Sequence, residues 1–301
     1  MNKFILGSVL VGALSGASPL FAAAPAFLIA ADGKAPKVFL TGATESQLKY
    51  KQTEQTTKID TVDRSRVQSV FFIEPDSFVK AMRAFQTANF EDALLQFQNC
   101  KEEFKDVDTV PGNYSTLAAY FEMECFRLSG QFDKLEAAKE KFLSAPLLRQ
   151  EFLEQVEFYA AWIAAKDESW ERMTRLAEEY KDKTEIGSHK AQMAYLAGLG
   201  HHNQGELEEA LDNYAQAMIA DYGASRNVVK MAYEKSLSIL KEDEEVQTAM
   251  KIYGTADERP GSLGHRRLLQ AGALVKLYQL TFGDKEPLAD DLKVFEKFAK
   301  S

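Results

Sequence analysis

His201 and His202 are adjacent, with His189 and Asp212 close by in the sequence. Imidazole and carboxylate are ordinary zinc ligands. Neighbours one apart on a helix, however, point about 100° away from each other and do not readily share an ion. The pair therefore reads as exposed residues at a helix end, where positive charge suits the dipole. Carboxylates gather at Glu206, Glu208 and Glu209, and again over Glu242-Asp243-Glu244-Glu245. A glycoside hydrolase needs two carboxyl groups facing across a cleft, and both runs fit a solvated helix face equally well. Ala197-Gly198-Leu199-Gly200 lies inside a helical pattern instead of after a strand, so it is not a phosphate loop. His265 belongs to a helix start, no Gly-x-Ser-x-Gly elbow occurs, and neither cysteine has a histidine nearby in sequence. No catalytic residue, metal ligand or cofactor is assigned, and the expectation is a protein that is not an enzyme.

What does recur is aromatic. Phe78, Tyr120, Phe158, Tyr195 and Tyr233 follow one another at intervals of 42, 38, 37 and 38 residues. A second series keeps step with them: Phe90/Ala93/Phe97, Phe132/Leu135/Lys139, Trp170/Met173/Ala177, Leu207/Ala210/Tyr214 and Val246/Ala249/Tyr253. Spacings of three and four place each triplet on one helix face, and its small middle residue admits a close neighbour. First members of these triplets are 42, 38, 37 and 39 residues apart, a period in the range of helical repeat arrays.

From about Pro75 to about Tyr253 the chain resembles the tetratricopeptide-repeat family. The likeness is carried by Asn89-Phe90-Glu91-Asp92-Ala93, Gly130-Gln131-Phe132 and Gly205-Glu206-Leu207-Glu208-Glu209-Ala210. Lys139 and Ala177 depart from it, standing where the family prefers an aromatic residue. The resemblance implies an α-solenoid of about six helical hairpins over 75–301, binding a protein or peptide segment in its concave groove. The position occupied here by Phe78, Tyr120, Phe158, Tyr195 and Tyr233 would look onto that groove. Arg127, Trp162 and His202 would stand near it, together with Met82, Phe85, Lys166 and Leu199. Packing within the hairpins is the competing role for the aromatics. A glycan-binding or glycan-cleaving helical protein is the alternative function.

Twelve helical segments are expected, at 75–88, 90–105, 114–129, 131–144, 147–166, 168–182, 188–204, 206–221, 225–241, 243–253, 262–282 and 287–300. Glycine and proline mark breaks between them, and the last segment is expected to cap the array. Ahead of them, residues 37–74 read as a small antiparallel β module of three or four strands, at 38–42, 47–51, 57–61 and 67–73. The class expected is mostly α, α+β overall.

Residues 1–26 have the parts of a secretory signal peptide: Lys3, the apolar run Phe4–Leu14 and the small-residue exit Ala22-Ala23-Ala24-Pro25-Ala26. Cleavage after Ala26 is favoured, with Ala22 or Ala23 possible, and 27–36 is expected to be a disordered leader. The protein would be exported, periplasmic or extracellular, with no stable membrane insertion after cleavage. A net charge of −9, from 36 basic and 45 acidic residues interleaved along helices, argues against a nucleic-acid partner. In an exported chain the two cysteines, Cys100 and Cys125, are permitted a bridge. That requires Cα atoms within about 7 Å, and two buried thiols are the other outcome.

Overall fold

The computed structural model describes residues 23–221 and 226–299, so most of the proposed signal segment lies outside the described residues. The fold is mostly helical, with a small antiparallel five-stranded sheet at the N-terminus. It divides into two compact units between Ala119 and Tyr120.

The N-terminal unit holds the sheet: β1 Ala24–Ala30, β2 Lys37–Ala43, β3 Gln47–Lys51, β4 Asp60–Asp63 and β5 Val67–Phe72, in the order β4-β3-β2-β1-β5. Alternation sets its inner face, where Ala24, Ala26, Leu28, Val38, Leu40, Leu48 and Phe72 are buried. Two helices of the same unit, α1 Asp76–Gln86 and α2 Phe90–Phe104, complete its core. Phe104 meets Phe72 at 5.7 Å between ring centroids and Tyr114 at 5.6 Å.

This sheet corrects the reading of the N-terminus. Residues 27–30 are the last four of the seven residues of β1, the strand paired to both β2 and β5, and not a disordered leader. Cleavage after Ala26 would cut that strand in two, whereas Ala22 or Ala23 would leave it whole. Its composition hides it: alanine and proline have low strand propensity, so the segment lacks the β-branched density that marks the others. The strand expected at 57–61 is displaced to Asp60–Asp63, where it pairs with β3.

Further along come α3 Tyr114–Leu128, α4 Phe132–Lys141, α5 Gln150–Lys166, α6 Trp170–Lys183, α7 Gly187–Gln204, α8 Leu207–Ala220, α9 Arg226–Glu242, α10 Glu244–Ile252 and α11 Leu263–Phe282. From α5 to α9 each helix packs on the next, and α5, α7, α9 and α11 also contact one another in succession. The triplet interiors are closed to water: Ala93, Phe97, Leu135, Met173, Ala177, Ala210, Tyr214 and Val246 are all 0% exposed. Phe90, Trp170, Phe132 and Leu207 are each the first residue of a helix. Two positions ahead of each stands a residue with positive φ: Ala88 at 57°, Gly130 at 70°, Glu168 at 51° and Gly205 at 82°. The turn thus repeats with the helices, although only two of its four instances use the glycine that such backbone favours. Close approach also depends on glycine in α7, where a Cβ on Gly198 would lie 2.7 Å from the Tyr214 ring.

The twelfth helix does not form as expected. Gly283, at φ 60°, ends α11, and Glu286 precedes Pro287, which disfavours helical backbone. Leu292, Phe295 and Phe298 then recur every third residue, matching the 3-10 turn at Lys293–Phe298 that buries them.

Candidate functional site

The residues proposed for the groove are mostly interior. Phe78, in the N-terminal unit, is 5% exposed and packs at 4.9 Å from Tyr114 and 5.9 Å from Phe97. In the C-terminal unit Tyr120 lies 4.5 Å from Phe152, and Phe158 lies 5.0 Å from Tyr180 and 4.9 Å from His189. Tyr233 meets Tyr278 and Phe282. Trp162 stacks between Phe132 and Tyr195, both at 6.1 Å, with the Arg127 guanidinium 5.3 Å from its ring centroid. The aromatic series therefore packs helices together, and its rings are not presented to solvent.

Arg127, Trp162 and Tyr195 come together around a buried polar network that the sequence reading missed. On α3, three residues separate Glu124 from Arg127, which brings both to one helix face. Arg127 donates through Nε and Nη2 to the two Glu124 oxygens, at 2.8 and 2.7 Å. Tyr159 Oη, from α5, donates to Glu124 Oε1 at 2.8 Å. Between α5 and α7, Gln155 and Gln192 exchange amide hydrogen bonds of 2.9 and 3.2 Å, and Trp162 Nε1 donates to Gln192 Oε1 at 3.2 Å. One step outward, Glu154 accepts from Thr184 Oγ1 at 2.9 Å and meets His189 Nδ1 at 3.2 Å.

The electrostatics are those of a joint. Burial favours the neutral form of Arg127, but the Glu124 carboxylate outweighs it and holds the guanidinium charged. Burial, with Glu124 second, drives the Tyr159 phenol well above its ordinary pKa, so it remains a donor. For His189, burial lowers the pKa despite Glu154. A fork of two charge-assisted hydrogen bonds is rigid as well as strong, and here it is extended across α3, α5 and α7.

A period signal does exist for part of this network. Gln155 and Gln192 are 37 residues apart, each three residues before a member of the aromatic series, Phe158 and Tyr195. Glu124 has no such marker.

Five members of the predicted set reach the surface. Met82 and Phe85 on α1 and Leu199 and His202 on α7 are half-buried, and Lys166 is exposed while pairing with Asp133 and Glu136. His202 is held below its ordinary pKa by burial and then by Lys235. His201 bonds Glu206 at 2.6 Å through Nδ1 and approaches Glu178 at 3.4 Å through Nε2. Among the described residues, no group of three histidine, cysteine or acidic side chains is arranged to hold a metal ion.

The cysteine bridge is not formed: Cys100 and Cys125 are free, buried thiols. Burial pushes each up to about 12. Cys100 Sγ lies 3.6 Å from the Tyr114 carbonyl oxygen, packing as a small apolar residue with a weak donor. No helix among the described residues is long and apolar enough to cross a membrane.

Compared with family models, curated proteins and solved structures, the chain matches none.

Proposed function

We propose that this chain is an exported, non-enzymatic adaptor whose helices form a tetratricopeptide-like solenoid holding a protein or peptide segment. The observation that carries this reading is the lateral tie among α3, α5 and α7. The first helices of successive hairpins are joined by buried polar pairs and aromatic stacks, and the left-handed turns recur in phase with them. Such an arrangement makes a stiff surface out of units that could not bury their own faces alone.

The partner's contacts belong to half-buried residues toward the C-terminal end of α7, Leu199 and His202, and to Lys235 on α9. A surface of half-buried Leu199 and a neutral His202 beside the Lys235 ammonium suits an extended segment carrying both apolar and acidic side chains. The glycan-handling alternative draws on the aromatic series and on the carboxylates; the rings are interior, which removes the first of these supports.

Photo-crosslinking side chains placed singly at Leu199 and His202 in the native cell test it, with Leu280 of α11, 74% exposed, as a control. A discrete protein adduct at 199 and 202 but not at 280 supports the proposal. Absence of any adduct at 199 and 202, or an identical pattern at all three positions, overturns it.

A further inference from the structure

The outer face of the sheet is composed differently from the rest of the surface. Residues directly opposite one another in an antiparallel ladder project to the same side. The register therefore lines up Phe71, Phe27 and Lys37 in one row, and Pro25, Phe39 and Lys51 in the next. Lys49 shares the face by alternation along β3. Phe71 is 64% exposed, and Phe27 and Phe39 are half-buried. The Lys37 ammonium stands 5.7 Å from the Phe39 ring centroid.

The sheet's lysines divide by position. Lys34 and Lys58 are each neutralised by an aspartate, Asp32 and Asp60. Lys37, Lys49 and Lys51 form no ion pair among the described residues. Residues 23–74 carry seven basic and six acidic side chains, so the acidity of the chain resides elsewhere.

We propose that this face docks on an anionic lipid bilayer, the phenylalanines entering the headgroup layer and the three lysines meeting lipid phosphates. Apolar groups flanked by unpaired cations on one face are the composition of an interfacial membrane contact. Pro25 and Ile29 share this face with Phe27 by alternation along β1, so apolar residues and not aromatic rings alone make up its middle, unlike the stacking platforms a single-stranded nucleic acid uses. In the sequence, β1 also follows the apolar run Phe4–Leu14 of the expected export signal. The inference is independent of any partner bound by the helices.

Flotation with vesicles of phosphatidylcholine, with and without phosphatidylglycerol, tests it. The protein used lacks residues 1–22 and keeps every described element. Binding is expected to the anionic vesicles alone and to weaken as salt rises. Lys37→Ala and Lys51→Ala each should lower it roughly fivefold, corresponding to about 1 kcal/mol per lysine near such a surface. Phe71→Ser, at an exposed position, should lower it as well, with circular dichroism checking that the fold is kept. No binding to anionic vesicles, equal binding to neutral ones, or indifference to all three substitutions overturns the proposal. So does stronger capture of a single-stranded oligonucleotide through the same residues.

Discussion

Replacing Arg127 by Met isolates the value of the joint between α3 and α5. The side chains of Arg127 and Glu124 are 8% and 11% exposed, so the substitution leaves a carboxylate in a largely dry site with only the Tyr159 hydroxyl still donating to it. Breaking a buried ion pair from one side costs about 3–5 kcal/mol, because the remaining charge keeps its desolvation penalty and loses its partner. Spread over a unit of this size, the loss corresponds to a fall in melting temperature on the order of 10 °C. The second substitution, Glu124→Gln, removes the stranded charge while keeping an acceptor for Tyr159. The double variant should therefore recover about 1–2 kcal/mol relative to Arg127→Met. Trp162 lies beside the guanidinium, so its fluorescence in a Trp170→Phe background follows this joint directly during urea unfolding. A cost below about 1 kcal/mol for Arg127→Met, or strictly additive losses in the double variant, would refute the view that the pair is a coupled buried unit.

The repeating turn gives opposite expectations at its two kinds of position: Glu168→Gly should stabilise by about 0.5–1 kcal/mol, while Gly205→Ala should destabilise by about 1 kcal/mol, both read from urea midpoints. Acidification should weaken the C-terminal unit through His189. Its folded pKa lies below the ordinary value of 6.5, so its contribution is complete above that value and is lost as pH falls below it. Hydrogen bonds from Thr184 and His189 carry Glu154 below its ordinary value although burial opposes them, so its loss sits lower, below 4.5. His189→Gln should accordingly flatten the melting-temperature profile as pH falls below about 6.5, and an unchanged slope there would discount the role of His189. At the other end of the chain, a protein starting at Ala23 should melt well above one starting at Phe27. The shorter form gives up the buried Ala24 and Ala26 with their ladder bonds, at about 1 kcal/mol per bond. Intact mass of protein from the native cell should likewise show a start before Pro25.

The helices were legible because burial repeats. Phe158 and Tyr195, or Met173 and Ala210, occupy equivalent places and are equally closed to water. A turn residue with positive φ is announced when it is Gly130 or Gly205, but not when it is Ala88 or Glu168, whose types say nothing of the backbone they adopt. Glu124 was unreadable for a different reason: a glutamate in a helix is ordinarily a surface residue. Only the arrival of Arg127 and Tyr159 around it makes an interior position tolerable. β1 failed on composition, and the C-terminal segment failed because Pro287 and a three-residue apolar spacing turned a helical pattern into a 3-10 turn. The aromatic series expected to face a groove instead meets neighbouring helices.

β1 also bears on the order of events at the N-terminus. Proteases commonly take a substrate's backbone as an added extended strand, and the backbone of Ala24, Pro25 and Ala26 is already engaged by β2, while Ala26 is also paired with β5. The Ile73 amide closes on the Pro25 carbonyl oxygen at 2.9 Å. Sheet and protease therefore compete for the same stretch of main chain. Once β5 has been made and has docked, a small-residue sequence that would invite cutting is sheltered by its own fold, and a change that delays β5 lengthens the interval in which Ala24 and Ala26 stand open to attack.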